Sequence, residues 1–212
     1  MPGWQHFFEQ QRQHVKFQFV SVAVDMQGAE AARPWVEAAG AAFPTVLDSE
    51  NHLAQLYGYK LIPNGIFLDE QGVVRYRKFG GFSVENEVDV DAVKRLIHRE
   101  AEQIEADSRR APYELSDTER ALVDARMRLG AELFRRGARD EALREWRAAL
   151  GLDPENLTIR KQIWMAESPE RFHPTIDFAW QQEQLARERA EEIATGICGP
   201  DGCPLPRSPH NP

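Results

Sequence analysis

Two thiols stand near one end of this sequence, in Cys198-Gly199-Pro200-Asp201-Gly202-Cys203, and the 212 residues hold no other cysteine. A thiol pair of this kind can close a disulfide, shuttle electrons as a dithiol, or supply half of a metal site. The intervening Gly-Pro-Asp-Gly favours a tight turn. Pro204 and Pro206 forbid a following helix whose N-terminus would lower a thiol pKa. Three readings therefore stay open: a local disulfide, an accessory redox pair that exchanges electrons with another site or a partner, and a partial metal site. Zinc wants four ligands, and His210 alone lies close by. No metal or cofactor is expected in this chain.

Other reactive side chains are scattered. His6, His14, His52, His98, His173 and His210 have no ligand spacing, which points to surface or satisfied histidines. Asp25, Asp48 and Asp69 all fall at strand ends, where a carboxylate can mark an α/β site but more commonly caps a turn. No GxGxxG, P-loop or GxSxG occurs. Ile62-Pro63 stands immediately before an apolar run, which makes it an Xaa-Pro turn entering a strand.

The elements that must position these residues come in two sorts. Trp4, Phe7, Phe8 and Gln11 have helical spacing over residues 3–14. Residues 15–25, VKFQFVSVAVD, read as a strand buried on both faces and hence part of a parallel sheet. Gly28–Gly40 reads as a helix with Pro34 near its start, residues 43–48 as a short strand, and the segment through Leu53, Leu56 and Tyr57 as a helix capped by Asp48 or Ser49. Ile66–Asp69 and Val73–Phe79 make a hairpin about Gly72, and a helix is expected from Val88 to about Ala106. Alternation of this kind predicts an α/β domain over residues 1–106.

Residues 107–118 are polar, carry Pro112 and read as a linker. Beyond them no strand pattern appears. Ser116 and Glu119 have capping-box spacing. Helices are expected through Leu122, Ala125, Leu129, Leu133 and Phe134, then through Ala142, Leu143, Trp146 and Ala149. A third starts with Pro154 at its first position, and a fourth runs from about Asp177 to Ala194 through Phe178, Gln181, Leu185 and Ile193; Trp164, Trp180 and Phe178 read as helical core. Residues 119–196 are thus an all-α module and 197–212 a Pro-rich tail. Leu129-Gly130, Gly137, Ala142, Trp146, Ala149 and Pro154 resemble one tetratricopeptide unit of about 34 residues. Arg126 departs from that pattern, where an aromatic is usual. The resemblance implies a small docking or spacer module for a partner protein.

The first half resembles the TlpA/ResA-like redoxins, thioredoxin-fold proteins of the alkyl hydroperoxide reductase and thiol-specific antioxidant group. The residues that carry the likeness are FVSVAVD, FPTVLD and LYGYKLIPNGIFLDEQGVV, and it spans about residues 1–106. The resemblance implies thiol–disulfide exchange or peroxide defence acting on a protein or small thiol/disulfide substrate. It makes Pro63 the candidate cis-proline and Ile62 the neighbour that meets a substrate peptide. It also places Met1-Pro2-Gly3-Trp4 just after the reactive Cys-x-x-Cys. That pair and the first core strand, which in the family lies between the strands at 17–24 and 66–69, are then expected upstream of Met1. On this reading the α/β domain is incomplete and the chain as given is inactive. The Cys198–Cys203 pair differs from a redoxin active site in having four residues between the sulfurs and no strand before it. The alternative is a non-enzymatic interaction protein that uses a degenerate redoxin domain and the helical unit.

Composition bounds the partners. The formal net charge is −8, with 42% hydrophobic and 28% charged residues. An acidic chain lacks the basic footprint of a nucleic-acid binder. No apolar run approaches the roughly 18 residues that a membrane span needs, and the N-terminal residues show no signal-peptide pattern.

Overall fold

Phe7 and Phe8 need a partner surface, and the helix that carries them, α1 (Pro2–Gln11), finds it in the strand run that follows. The computed structural model describes residues 2–25, 28–105, 113–173 and 175–195. It divides into two units, Met1–Arg109 and Arg110–Pro212. No helix among the described residues is long and apolar enough to cross a membrane.

In the first unit Phe8 meets Phe17 and Phe43 edge-on, with ring centroids 5.5 and 5.6 Å apart, and Phe19 lies 4.5 Å from Phe43. Offset and edge contacts of this kind are the favourable ones for aromatic rings. They select one face of residues 15–25: Phe17, Phe19, Ser21 and Ala23 are half-buried, while Lys16, Gln18, Val20 and Val22 are exposed. This corrects the expectation of burial on both faces. The cause is the small sheet. β1 (Ser21–Ala23) pairs in parallel with β2 (Thr45–Leu47) in a sheet of two strands. Val46, the register partner of Val22, is itself 52% exposed. The crossover between them is α2 (Ala29–Ala39), in which Pro34 is the sixth residue and so lies deeper than the first turn.

α3 (His52–Tyr57) follows, and its start is held by Asp48: Oδ1 accepts the His52 N–H at 2.8 Å and Oδ2 the Leu53 N–H at 2.9 Å. Gly58, at φ 73°, ends it in the left-handed conformation that glycine adopts without cost. β3 (Asn64–Leu68) and β4 (Val74–Phe79) form the hairpin, antiparallel, with a bulge between Phe67 and Leu68. They make a second two-stranded sheet, not hydrogen-bonded to the first. Tyr76 points inward onto Ala92 and Leu96 of α4 (Glu87–Ile97), with Phe67, Phe82 and Ile104 packed around them.

α4 is shorter than its apolar spacing predicts. His98 closes it, Arg99 adopts a positive φ of 60°, and the chain turns back so that the Ile104 N–H donates to the Arg75 carbonyl at 3.0 Å. Ile104 therefore reaches the core from a return segment and not from a further helical turn.

The second unit is helical. α5 (Asp117–Arg135) opens on a capping box: Ser116 Oγ accepts the Glu119 N–H and the Glu119 carboxylate accepts the Ser116 N–H. Gly137, at φ 81°, turns the chain into α6 (Arg139–Leu152). α5 buries Val123, Met127, Gly130 and Ala131, whereas Leu122 and Leu129 are 42% and 48% exposed. The expected apolar face is thus offset by about one residue. Glycine sets that offset: Gly130 lets α6 approach, and Val123, Met127 and Ala131, which share its face, are the ones covered. α7 (Leu157–Glu167) starts three residues later than expected. Asn156 caps it by accepting the Thr158 and Ile159 N–H groups, and Pro154 lies in the turn before it. α8 (Phe178–Ala194) is capped by Asp177. Its Phe178 is 65% exposed, so Phe178 is not core, while Trp164 is buried and Trp180 half-buried.

Candidate functional site

The loop between α3 and β3 carries the residues that the redoxin resemblance singles out. Tyr59 is buried and packs on Phe79, with ring centroids 5.7 Å apart. Leu61 closes on Gly80, where any Cβ would collide with it. The Ile62–Pro63 peptide is cis, and both residues are exposed, Ile62 at 36%. A loop whose flanks are pinned while its tip stays open presents backbone to solvent at a fixed place.

The N-terminal end of α1 is brought to this loop through Phe82. The Phe82 N–H donates to the Pro63 carbonyl at 3.3 Å. The Phe82 ring lies over Gly65 of β3, where a Cβ would sit 2.6 Å from its Cε2. The Trp4 indole stacks on that ring, at 4.7 Å and 13°, and also meets Phe19 at 5.8 Å. Gly3 packs so closely on Val84 that a side chain there would clash. Trp4 thus ties the run into β1 to the segment that covers β3. The first turn of α1 consists of Pro2, Gly3, Trp4 and Gln5, none of them a nucleophile.

The nearby titratable groups are structural. Burial, and then the charge of Asp48, push the Tyr59 hydroxyl up to about 12 from its ordinary 10.0. The folded unit therefore holds Tyr59 neutral where the unfolded chain would ionise it. Its contribution is complete below pH 10 and is lost as the pH rises toward about 12. Urea midpoints of the first unit should accordingly fall between about pH 9 and about pH 11.5, and Tyr59→Phe should make that fall shallower while Tyr76, also held neutral, supplies the remainder. The carboxyl of Asp69 is held below its ordinary range, first by the Val73 N–H and also by Arg75 at 2.7 Å. Asp69 and Asp48 are thus occupied by their own turns, as turn-capping carboxylates.

A third carboxylate was not singled out by the sequence. Asp89, on the first turn of α4, is fully buried and accepts from Lys78 Nζ at 2.7 Å, the Ser83 N–H at 3.0 Å and the Tyr76 hydroxyl at 3.3 Å. Burial of Tyr76, then the Asp89 charge, raise that hydroxyl well above its ordinary value. Asp91, two residues on, has the same side-chain type and is exposed. Nothing local separates the two. A small signal is Lys78, the one inward-facing cation of β4, which requires a counter-charge if buried.

Cys198, Cys203 and His210 lie outside the described residues. Among the described residues no group of three or more His, Cys, Asp or Glu side chains could hold a metal ion. His52 faces Asp48 and Glu50, His98 bonds Gln11, and His6 bonds Gln10, so these three rings are engaged locally or between helices. No family model matches the chain, and neither the curated proteins nor the solved structures yield a match.

In the second unit Gly130 of α5 and Trp146 of α6 are brought together. A Cβ on Gly130 would lie 2.6 Å from Trp146 Cδ1, and the Trp146 indole N–H donates to the Met127 carbonyl at 3.3 Å. Ala142 and Ala149 are fully buried on either side of Trp146 along α6. Arg126, the departure from the pattern, pairs with Glu145 at 2.8 Å.

Proposed function

We propose that the first unit is a thioredoxin-like domain of the TlpA/ResA redoxin type, and that its chemistry is thiol–disulfide exchange with a protein or small thiol substrate. The observation that carries this reading is the juxtaposition of the α1 N-terminus and the Pro63 loop through Trp4 and Phe82. A helix N-terminus facing an exposed backbone loop is the arrangement in which a thiolate is stabilised by the helix while a substrate peptide lies on the loop. The split between the two sheets agrees with it. Alternation along the parallel ladder directs the Val22 N–H and C=O away from β2, and the proposal has one more strand pair with this edge of β1. On this proposal that strand and a Cys-x-x-Cys pair precede Met1. The α5–α6 hairpin is proposed as a single tetratricopeptide-like docking unit, supported by the Gly130–Trp146 approach.

Insulin reduction tests it. A protein extended through the upstream in-frame DNA should reduce insulin disulfides with dithiothreitol as electron source, and the 212-residue chain should not. An upstream frame without a cysteine pair, or full activity of the shorter chain, would overturn the proposal.

A further inference from the structure

α8 is held to the rest of the second unit in an unusual way. Of its 17 residues only Gln181 is buried; Phe178 and Ile193 face solvent, and Trp180 and Leu185 are half-buried. α7, by contrast, buries seven of 11 residues. The first turns of α8 are anchored by Trp180, which meets Trp164 edge-on at 5.9 Å and Phe172 at 6.4 Å. Beyond Trp180 the one half-buried apolar side chain is Leu185, and the polar attachments centre on Arg160 of α7.

Arg160 is 1% exposed. Its guanidinium donates to the Pro154 carbonyl, to Glu188 at 2.7 Å and to Glu192. Glu188 also accepts from the Trp164 indole and from Gln184, both at 2.6 Å. Arg189 completes the clasp by bridging Glu155 at 2.5 Å and Glu192 at 3.1 Å. Beneath it a cleft of about 350 Å³ remains between α6, α7 and α8, with Leu150, Ile163 and Trp164 among its walls.

Polar attachment over an incompletely filled cleft has a physical consequence. For ion pairs buried to this extent, the cost of desolvation offsets most of the Coulomb attraction, and little apolar burial is there to add to it. When the segment lifts, Arg160, Glu188 and Glu192 regain water, so opening is inexpensive compared with opening α7. Once undocked, a run of eleven residues is too short to stay helical by itself.

We propose that residues Gln184–Ala194 form a strap that pivots near Trp180, opens as a unit of its own, and uncovers the α6–α7 cleft, with Arg160 and the Glu188/Glu192 pair as its latch. Closed, the strap borders Leu150, Ile163 and Trp164; open, it presents these three side chains together with Arg147, Arg160 and Glu167.

Hydrogen exchange followed by mass spectrometry on the full chain tests this. In the wild-type protein, amides of 184–194 should exchange at least about 100-fold faster than those of 159–166, because a local opening exposes them without unfolding α7. In Glu188→Gln/Glu192→Gln the strap loses its charged latch, and its exchange should rise by about tenfold or more while α5–α7 stay within about twofold. Equal protection of α8 and α7 in the wild type would overturn the proposal. So would a double variant in which 184–194 are unchanged, or in which α5–α7 accelerate in step with them.

Discussion

Asp89→Ala is expected to cost the first unit about 3–5 kcal/mol, the range for breaking a buried charge pair by removing one partner. The carboxylate is fully buried and answers three donors at once: the Lys78 ammonium, the Ser83 N–H and the Tyr76 hydroxyl. Removing it leaves a largely buried cation, a backbone donor and a phenol without their acceptor. Each loss carries its own desolvation cost. It also frees the junction of β4, α4 and the Phe82 segment, and so loosens the surface on which Trp4 stacks. Adding Lys78→Met should recover part of the loss, because the uncompensated charge goes with it. Urea denaturation read by amide exchange in each unit measures the effect where it arises. A loss below about 1 kcal/mol would mean that water replaces the carboxylate and that the cluster does not organise the hairpin.

Trp146→Ala is expected to cost the second unit about 3–5 kcal/mol, as for other buried tryptophans cut back to alanine. Trp146 is 1% exposed and fills the gap that Gly130 leaves between α5 and α6, with Phe134 5.6 Å away. The two positions should be strongly coupled. Gly130→Ala in the native background forces a Cβ against the indole and should cost about 1–3 kcal/mol. In the Trp146→Ala background the obstructing ring is absent. There the same change should be neutral or stabilising by up to about 1 kcal/mol, since alanine favours helix over glycine. A double-mutant cycle reads the change of sign directly. Additive costs would show that Gly130 is there for some reason other than the close approach of the helices.

Periodicity carried a good deal of this structure. The order of helices and strands, the hairpin about Gly72, the Ser116–Glu119 cap, the Gly137 turn and the small residues flanking Trp146 are all properties of short stretches. Local backbone preference and side-chain spacing decide them before any long-range contact forms. Errors arose where a distant partner decided the outcome. Ile104 has helical spacing with α4, yet it reaches the core by a return segment bonded to Arg75. Leu122 and Leu129 are more apolar than Gly130, yet α5 turns its glycine inward because packing on Trp146 rewards the missing side chain. Residues 15–25 looked buried on both faces because hydrophobicity records what a strand can bury, and burial itself depends on how many strands and helices surround it.

The candidate site divides in the same way. Ile62-Pro63 was legible because proline before an apolar run is a local signal. The partnership of Trp4, Phe82 and Pro63 was not, since it joins residues almost eighty positions apart through one ring stack. Asp89 and Arg160 make the point most sharply. As letters they are a helix-start acid and one arginine among many. Which charges are stripped of water, and which carboxylates must then answer them, is set only when β4 meets α4 and α7 meets α8. The sequence by itself determined where this chain could coil, extend and turn. The tertiary structure decided which of its charges are buried, because desolvation is a property of surroundings and no single residue contains it.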